Sequence, residues 1–237
     1  MATLILLRHG RSTANTEGVL AGRTPGVDLD DRGREQAAAV VDRLADLPIF
    51  GIVTSPLERC RQTVVPLAAA RGLEPVTEDD LAEVDYGSWT GRKVTDLVSE
   101  DLWKVVQAHP SAAAFPDGES LAGMQARAVA AVRRHVARAR AEHGENAILV
   151  ACSHGDVIKA ILADALASHL DNFQRIVVDT CSVSVVTYTE LRPFVARMNE
   201  QSGDVASLVP KPADDTSEDA SGEKASSDAV VGGATNA

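Results

Sequence analysis

The chain has 237 residues, of which 45% are hydrophobic, so it can bury the core of one large domain or two small ones. This composition excludes a fibrous chain and a wholly disordered one. The formal net charge is −11, which argues against a protein whose main role is to bind nucleic acid, because such proteins need a basic face.

The cysteines and the apolar segments indicate a reducing, cytoplasmic compartment. Cys60, Cys152 and Cys181 are widely spaced, and they predict neither a disulfide framework nor a CxxC metal or redox site. The apolar start of the chain is too short for the core of a signal peptide, and no apolar run reaches the length of a membrane span. We therefore expect no contact with a membrane.

The first elements in chain order are a strand and a helix. Residues 3–7 form an uninterrupted apolar run, typical of a strand buried on both faces of a parallel sheet, which ends at the polar pair Arg8-His9. Asp30 or Asp31 is expected to cap a helix that stops before Pro48.

A second strand and two further helices follow. Residues 51–54 are expected to be extended, and Ser55 is expected to cap a helix that Pro66 kinks or divides. Residues 79–91 are typical of a loop, and residues 93–108 can be helical.

The second half of the chain repeats the strand and helix pattern. Residues 119–144 carry apolar side chains along one face of a long helix. Residues 147–151 repeat the opening apolar run, and residues 182–188 and 194–198 are expected to be later strands. Alternating strands and helices predict an α/β fold with three αβα layers around a mostly parallel sheet.

The last residues have a different composition. Between Glu200 and Ala237 there are eight acids and two lysines, with almost no aliphatic side chains before the final residues. Such a segment cannot repay the entropy of folding, so we expect residues 201–237 to be a disordered acidic tail. A solubilising extension is the simpler interpretation, and a lid or a partner-binding arm is the alternative.

Two buried strands that end in histidine are the main chemical signal. Ligands of open α/β sheets bind at the carboxyl ends of strands, so His9 and His154 are expected to face one crevice. A glycine follows each histidine and lets the backbone approach a ligand closely. Arg8 and Arg59 can place two guanidinium groups on the same anion, so the pattern predicts a phosphate pocket.

At this point the chain resembles the histidine phosphatase superfamily, in its phosphoglycerate mutase-like branch. The resemblance covers about residues 3–198, and its motifs occur in the family's order. The matching segments are residues 8–12 (RHGRS) with Asn15, residues 29–37 (LDDRGREQA), residues 55–63 (SPLERCRQT), residues 81–91 (LAEVDYGSWTG), residues 115–120 (FPDGES) and residues 153–155 (SHG).

The resemblance implies a role for each site residue. His9 would be the nucleophile that forms a phosphohistidine, and Glu83 would be the acid and base. The other implied catalytic residues are Arg8, Arg59 and His154, and the implied phosphate-binding residues are Ser12, Asn15, Gly155 and Arg11. Arg11 departs from the glutamine or glutamate common at its position. Residues 1–200 would form the histidine phosphatase domain.

This residue set needs neither a metal nor an organic cofactor. Two arginines and a protonated histidine can neutralise the equatorial oxygens of a phosphoryl group during transfer. His9 must be neutral to attack, whereas His154 works best protonated, so their surroundings are expected to move the two pKa values apart.

The expected function is hydrolysis of a small phosphorylated metabolite, with a small-molecule phosphate ester as the expected partner. A 2,3-bisphosphoglycerate-dependent phosphoglycerate mutase is the first alternative. Residues 13–15 (TAN) and 21–23 (AGR) differ from the tryptophan-containing motifs of the mutases, which favours the phosphatase. A non-catalytic protein that binds a phosphate ligand is the second alternative. A homodimer is the candidate assembly.

Overall fold

The computed structural model describes residues 1–201, so almost all of the predicted acidic tail, from residue 202 onward, lies outside the described residues. Within residues 1–201 one sheet contains the strands β1 (Ala2–Arg8), β2 (Ile49–Thr54), β3 (Val76–Thr77), β4 (Ala147–Ser153), β5 (Val183–Tyr188) and β6 (Pro193–Glu200). The strands lie in the order β3-β2-β4-β1-β5-β6. The neighbouring pairs among β1 to β4 are parallel, while β5 runs antiparallel to both β1 and β6.

Helices fill the connections between these strands. In the described part of the chain the α-helices are α1 (Thr13–Glu17), α2 (Asp31–Arg43), α3 (Glu58–Arg71), α4 (Val94–Leu97), α5 (Asp101–Ala108), α6 (Leu121–His143) and α7 (Gly155–Ala165). Short 3-10 helices occur at Asp79–Leu81, Gly87–Trp89, Pro110–Ala112 and Leu170–Arg175.

The alternating side chains of the central strands build one core on each face of the sheet. Leu4 and Leu6 of β1 pack in the cluster that contains α6 and α7, whereas Ile5 and Leu7 pack in the cluster that contains α2 and α3. Because β1 and β4 are buried on both faces, their sequences are continuous apolar runs rather than alternating ones. The predicted three-layer fold with a mostly parallel sheet is confirmed.

One local prediction is wrong, and the structure gives the details of two others. Ser55 does not cap α3, which begins at Glu58 after Leu57. Pro66 does not divide α3, which continues to Arg71 because buried side chains on both sides of the proline hold it against the sheet. Residues 93–108 are largely helical, as expected, and they form the two helices α4 and α5.

The Asp30 prediction is confirmed. The carboxylate of Asp30 accepts a hydrogen bond from the N–H of Gly33 at 2.7 Å and so caps α2. Gly33 also packs directly on the loop that follows β1, where an added Cβ would lie 2.0 Å from the carbonyl oxygen of Arg11. The capped end of α2 thus holds the loop after β1.

Candidate active site

The pairing of β1 with β4 brings the two strand-end histidines together. Arg8 lies opposite Ser153 in the parallel register, and the N–H of His9 donates to the carbonyl of Ser153 at 3.0 Å. The imidazole centroids of His9 and His154 are 5.2 Å apart. Both side chains are buried at the carboxyl edge of the sheet, so the two separate sequence motifs form one crevice.

The backbone fixes the tautomer of His9. Its Nδ1 lies 2.7 Å from the carbonyl oxygen of Gly10. Since a carbonyl oxygen can only accept, Nδ1 carries the proton and Nε2 keeps its lone pair. Burial, and then the positive charges of Arg59 and Arg8, hold the pKa of His9 well below its usual value. His9 is therefore a neutral imidazole with a lone pair on Nε2.

Two buried guanidinium groups flank His9. Nη1 of Arg8 donates to the carbonyl of Val178 at 2.7 Å, and Nη2 of Arg59 donates to the carbonyl of Gly22 at 2.8 Å. Nη1 of Arg59 is buried without a hydrogen-bond partner among the described residues. A buried donor without a partner is costly unless a ligand satisfies it, and an oxyanion is the natural acceptor for a guanidinium.

His154 lies between Ser55 and Glu83. Its Nε2 is 2.7 Å from Oγ of Ser55, and its Nδ1 is 3.9 Å from Oε2 of Glu83. Ser55 therefore positions this imidazole, which explains why its hydroxyl does not cap α3 as expected. The structure also places the thiol of Cys60 3.4 Å from Nε2 of His154.

The pKa values of the two histidines are shifted in the same direction. Burial, followed by the charge of Arg59, holds the pKa of His154 well below its usual value, as it does for His9. The charges of Arg59 and Arg8 lower both pKa values, so the positive field that keeps His9 neutral also acts on its neighbour. Only an anion close to His154 would favour its protonated form.

Glu83 is the carboxyl group of the site. It is buried, and its Oε1 accepts a hydrogen bond from the N–H of Val84 at 3.0 Å. Burial, and then the negative charge of Asp156, raise the pKa of Glu83 to about 7, against the opposing charges of Arg59 and Arg8. A carboxyl with this pKa is partly protonated and partly ionised near neutral pH, so it can donate or accept a proton.

The prediction from sequence missed a buried polar group behind Glu83. The hydroxyl of Tyr86 donates to Oδ2 of Asp156 at 2.9 Å, and Nζ of Lys159 lies 3.6 Å from Oδ1 of Asp156. All three side chains are buried. The Tyr86 hydrogen bond joins the loop that carries Glu83 to the helix that follows His154. The only signal in the sequence was an acid directly after the His154-Gly155 pair.

A cluster of two arginines and one glutamate supports the backbone of Glu83. Arg127 donates to the carbonyls of Ala82 and Glu83 at 2.8 and 3.2 Å, and Arg23 donates to the carbonyl of Glu83 at 2.9 Å. The carboxylate of Glu119 pairs with both arginines. Glu119 lies in a motif quoted above, but sequence reasoning assigned no role to it or to the two arginines.

The four predicted phosphate-binding residues differ in their surroundings. The N–H and the hydroxyl of Ser12 donate to Oδ1 of Asn15 at 3.0 and 2.9 Å, which leaves the amide nitrogen of Asn15 as its donor end. Gly155 is the first residue of α7, where backbone N–H groups have no acceptor within the helix. Nε of Arg11 donates to Asp30 at 2.6 Å, so its charge is already paired. The phosphate-binding role of these residues stays a prediction.

The glycine after His9 is also required by a contact within the protein. An added Cβ at Gly10 would lie 2.6 Å from the carbonyl oxygen of Gly33. The N–H of Gly10 donates to the hydroxyl of Thr63 at 2.9 Å. Contact with the protein backbone of α2 therefore requires this glycine, whether or not a ligand approaches.

The described residues contain neither a metal-binding cluster nor a membrane-spanning helix. Residues 1–201 contain no group of three or more histidine, cysteine, aspartate or glutamate side chains placed to hold a metal ion. No helix in this part of the chain has the length and apolarity to cross a membrane. Cys60, Cys152 and Cys181 are all free and buried.

Comparison with known proteins identifies the family. The histidine phosphatase superfamily (branch 1) matches residues 4–201, so the chain belongs to this family. It is 31% identical over 202 residues to phosphoserine phosphatase 1 of Hydrogenobacter thermophilus, covering 84% of this chain and 92% of the relative. It is 29% identical to the probable phosphoglycerate mutase GpmB of Enterobacter sp. (strain 638), over 88% of this chain and 95% of the relative.

The solved structures agree with the sequence relatives. Bacillus stearothermophilus YhfR superposes with a TM-score of 0.77 at 26% identity, over 85% of this chain and 98% of the other. The family match and the relatives named as phosphatases show that this chain is a phosphatase, as predicted from the sequence.

Proposed function

We propose that this chain is a metal-independent phosphomonoesterase that hydrolyses a small phosphorylated metabolite through a phosphohistidine on His9. The observation that carries the proposal is the 2.7 Å contact of Nδ1 of His9 with the carbonyl of Gly10, which leaves Nε2 as a neutral nucleophile. The unpartnered Nη1 of Arg59 supports a phosphoryl oxygen as the ligand beside it.

In the first step Nε2 of His9 attacks the phosphorus atom and the ester P–O bond breaks. The leaving alkoxide takes the proton of the Glu83 carboxyl, whose pKa of about 7 keeps a large protonated fraction at neutral pH. Arg8 and Arg59 neutralise the charge that the three equatorial oxygens share in the transition state. The incoming dianion also favours protonation of His154, which can then donate to it.

In the second step water attacks the phosphohistidine. Glu83, now ionised, accepts the proton of that water, and the P–N bond to His9 breaks to release inorganic phosphate. One carboxyl therefore serves both half-reactions in opposite protonation states. This alternation is consistent with a pKa near the middle of the physiological range.

The test is covalent trapping with a radioactive phosphate ester. The wild-type protein should carry an acid-labile, base-stable label after quenching, and His9→Ala should lose this label together with several powers of ten in kcat. His109→Ala is the matched control, because this imidazole is exposed and lies outside the predicted motifs. A label that persists in His9→Ala would assign the nucleophile to another residue.

The phosphoglycerate mutase remains the competing activity, since GpmB is among the relatives. Incubation of 3-phosphoglycerate with and without 2,3-bisphosphoglycerate separates the two. Release of inorganic phosphate without isomerisation supports the phosphatase, whereas bisphosphoglycerate-dependent isomerisation would establish the mutase. If this chain binds phosphate but hydrolyses no ester, including nitrophenyl phosphate, it is the non-catalytic phosphate-binding protein.

We also propose a cytoplasmic location and a homodimeric assembly. Three buried thiols that form no disulfide support a reducing compartment. Fractionation of cells tests the first proposal, and sedimentation at several protein concentrations tests the second.

A further inference from the structure

The segment 178–182, which leads into β5, holds Arg8 at both its backbone and its side chain. The N–H of Arg8 donates to the carbonyl of Ser182 at 3.2 Å. At the other end of the segment the carbonyl of Val178 accepts a hydrogen bond from Nη1 of Arg8 at 2.7 Å. The position of this guanidinium, one of the two expected to bind phosphate, therefore depends on where the segment lies.

Asp179 adds a negative charge directly after the Val178 carbonyl. Burial lowers the pKa of Arg8, and the charges of Glu83 and Asp179 oppose this shift. Oδ1 of Asp179 is buried and has no hydrogen-bond partner among residues 1–201. Burying a carboxylate oxygen in this way is costly, so the attraction between Asp179 and Arg8 offsets part of that cost.

Asn199, near the end of β6, fixes Asp179 with two hydrogen bonds. Its Oδ1 accepts from the N–H of Asp179 at 2.7 Å, and its Nδ2 donates to Oδ2 of Asp179 at 2.8 Å. Asn199 has a φ of 51°, in the left-handed region that asparagine tolerates better than most residues. The exposed side chain of Gln201 gives Oδ2 a third contact, at 2.6 Å. Asparagine thus satisfies the backbone, the acceptor and the donor at this position together.

We propose that Asn199 is a positioning residue for Arg8. It holds Asp179, and through Asp179 it holds the Val178 carbonyl that orients the guanidinium. Without this support the guanidinium has more freedom before phosphate binds, and binding must then order it at a cost in entropy. The inference rests on the proposed function only in taking Arg8 as a phosphate-binding group.

The experiment measures phosphate binding separately from turnover. Calorimetry gives the Kd of inorganic phosphate, and nitrophenyl phosphate hydrolysis gives kcat and KM. The variants are Asn199→Asp, Asn199→Gly and the double variant Asp179→Asn with Asn199→Asp. Asn146→Gly is the matched control, because Asn146 is an exposed asparagine with a φ of 77° that directly precedes β4, at the sheet edge opposite the crevice.

Asn199→Asp should raise both the phosphate Kd and KM about tenfold, because it replaces the Nδ2 donor by an oxygen that faces the Asp179 carboxylate. The kcat value should stay within about threefold, since the cost of ordering Arg8 falls on the binding step. Asn199→Gly keeps the backbone conformation and should raise Kd and KM about fivefold. The double variant exchanges donor and acceptor within the pair, so it should return Kd to within about threefold of the wild-type value.

Three results would overturn the inference. The first is a wild-type Kd and KM in folded Asn199→Asp or Asn199→Gly, even if Tm falls, because a lower Tm alone would give Asn199 a purely structural role. The second is a double variant that binds phosphate no better than Asn199→Asp, and the third is an equal loss of binding in Asn146→Gly. If Asn199→Asp does not fold, Asn199→Gly decides. A wild-type protein that binds phosphate but hydrolyses no ester would refute the proposed function, and the Kd values would still test Asn199.

Discussion

Replacement of Asp156 by asparagine tests how the buried surroundings set the proton affinity of Glu83. Asparagine keeps the shape of the side chain and an oxygen for the Tyr86 hydroxyl, but it removes the negative charge. Asp156 is the second cause, after burial, of the rise in the pKa of Glu83 from 4.5 to about 7. The other charged or titratable groups that act on Glu83 are Arg8, Arg59 and His154, and the two arginines oppose that rise.

The size of the effect follows from this balance. We expect Asp156→Asn to lower the pKa of Glu83 by about one unit, which corresponds to about 1.4 kcal/mol. At pH 7 the protonated fraction of Glu83 would fall from about one half to about one tenth. The positive charge of Lys159, no longer paired with a carboxylate, would act in the same direction.

The assay is the pH dependence of kcat/KM for an alkyl phosphate and for nitrophenyl phosphate. For the alkyl ester the alkaline limb should move down by about one pH unit, with about a fivefold loss at pH 7, because the alkoxide needs the Glu83 proton. The nitrophenyl ester should lose much less, because its leaving group needs no proton. The substrate phosphate titrates identically in both experiments, so the difference between the variants reports the enzyme.

Stability is the control. A buried charge that loses its partner costs about 3–5 kcal/mol, so the double variant Asp156→Asn with Lys159→Met removes both charges if the single variant does not fold. An alkaline limb that stays in place in a folded variant, or moves to higher pH, would refute the assignment of Glu83 as the acid whose pKa Asp156 raises.

Four further predictions concern single elements of the site and the chain. Glu83→Gln should reduce kcat/KM far more for a sugar phosphate than for a nitrophenyl ester, and should accumulate phosphohistidine with the latter; equal losses and no trapped intermediate would assign proton transfer elsewhere. Ser55→Ala removes the 2.7 Å contact of His154 and should lower kcat/KM roughly tenfold at little cost in Tm; an unchanged rate would show that packing alone positions the ring. Gly33→Ala should cost about 2 kcal/mol, seen as a Tm lower by roughly 4–8 °C, because its Cβ would overlap the carbonyl of Arg11. Truncation after Glu200 should leave kcat/KM within about threefold of the full-length value. A large loss would favour the alternative that residues 201–237 act as a lid.

The residues of the site could be found from sequence because they lie in short, ordered motifs. The strand ends at Arg8-His9 and at His154 were visible as abrupt changes from apolar to polar residues. The parallel pairing of β1 with β4 then brings these ends together, and no further information is needed to expect one crevice. The helix cap at Asp30 was equally local and equally predictable.

Other features depended on contacts between distant parts of the chain. The Ser55 hydroxyl fits the local pattern of a helix cap, yet it contacts His154, which is 99 residues away in sequence. A proline inside a helix removes a backbone hydrogen bond and favours a break. The packing of α3 nevertheless keeps this helix continuous through Pro66. The domain limits at 1–200 and 201–237 stay predictions, because the described residues stop at residue 201.

The motifs in the sequence are sufficient to predict which side chains carry the chemistry, since phosphoryl transfer needs these residue types at strand ends and in the motifs around them. Their protonation, by contrast, depends on the fold. The pKa values of His9, His154 and Glu83 depend on burial and on charges from several separate elements, including Arg59, Arg8 and Asp156. The strength of a Coulomb interaction depends on the distance between the two charges and increases with burial. These distances between residues far apart in the chain cannot be obtained from the sequence alone.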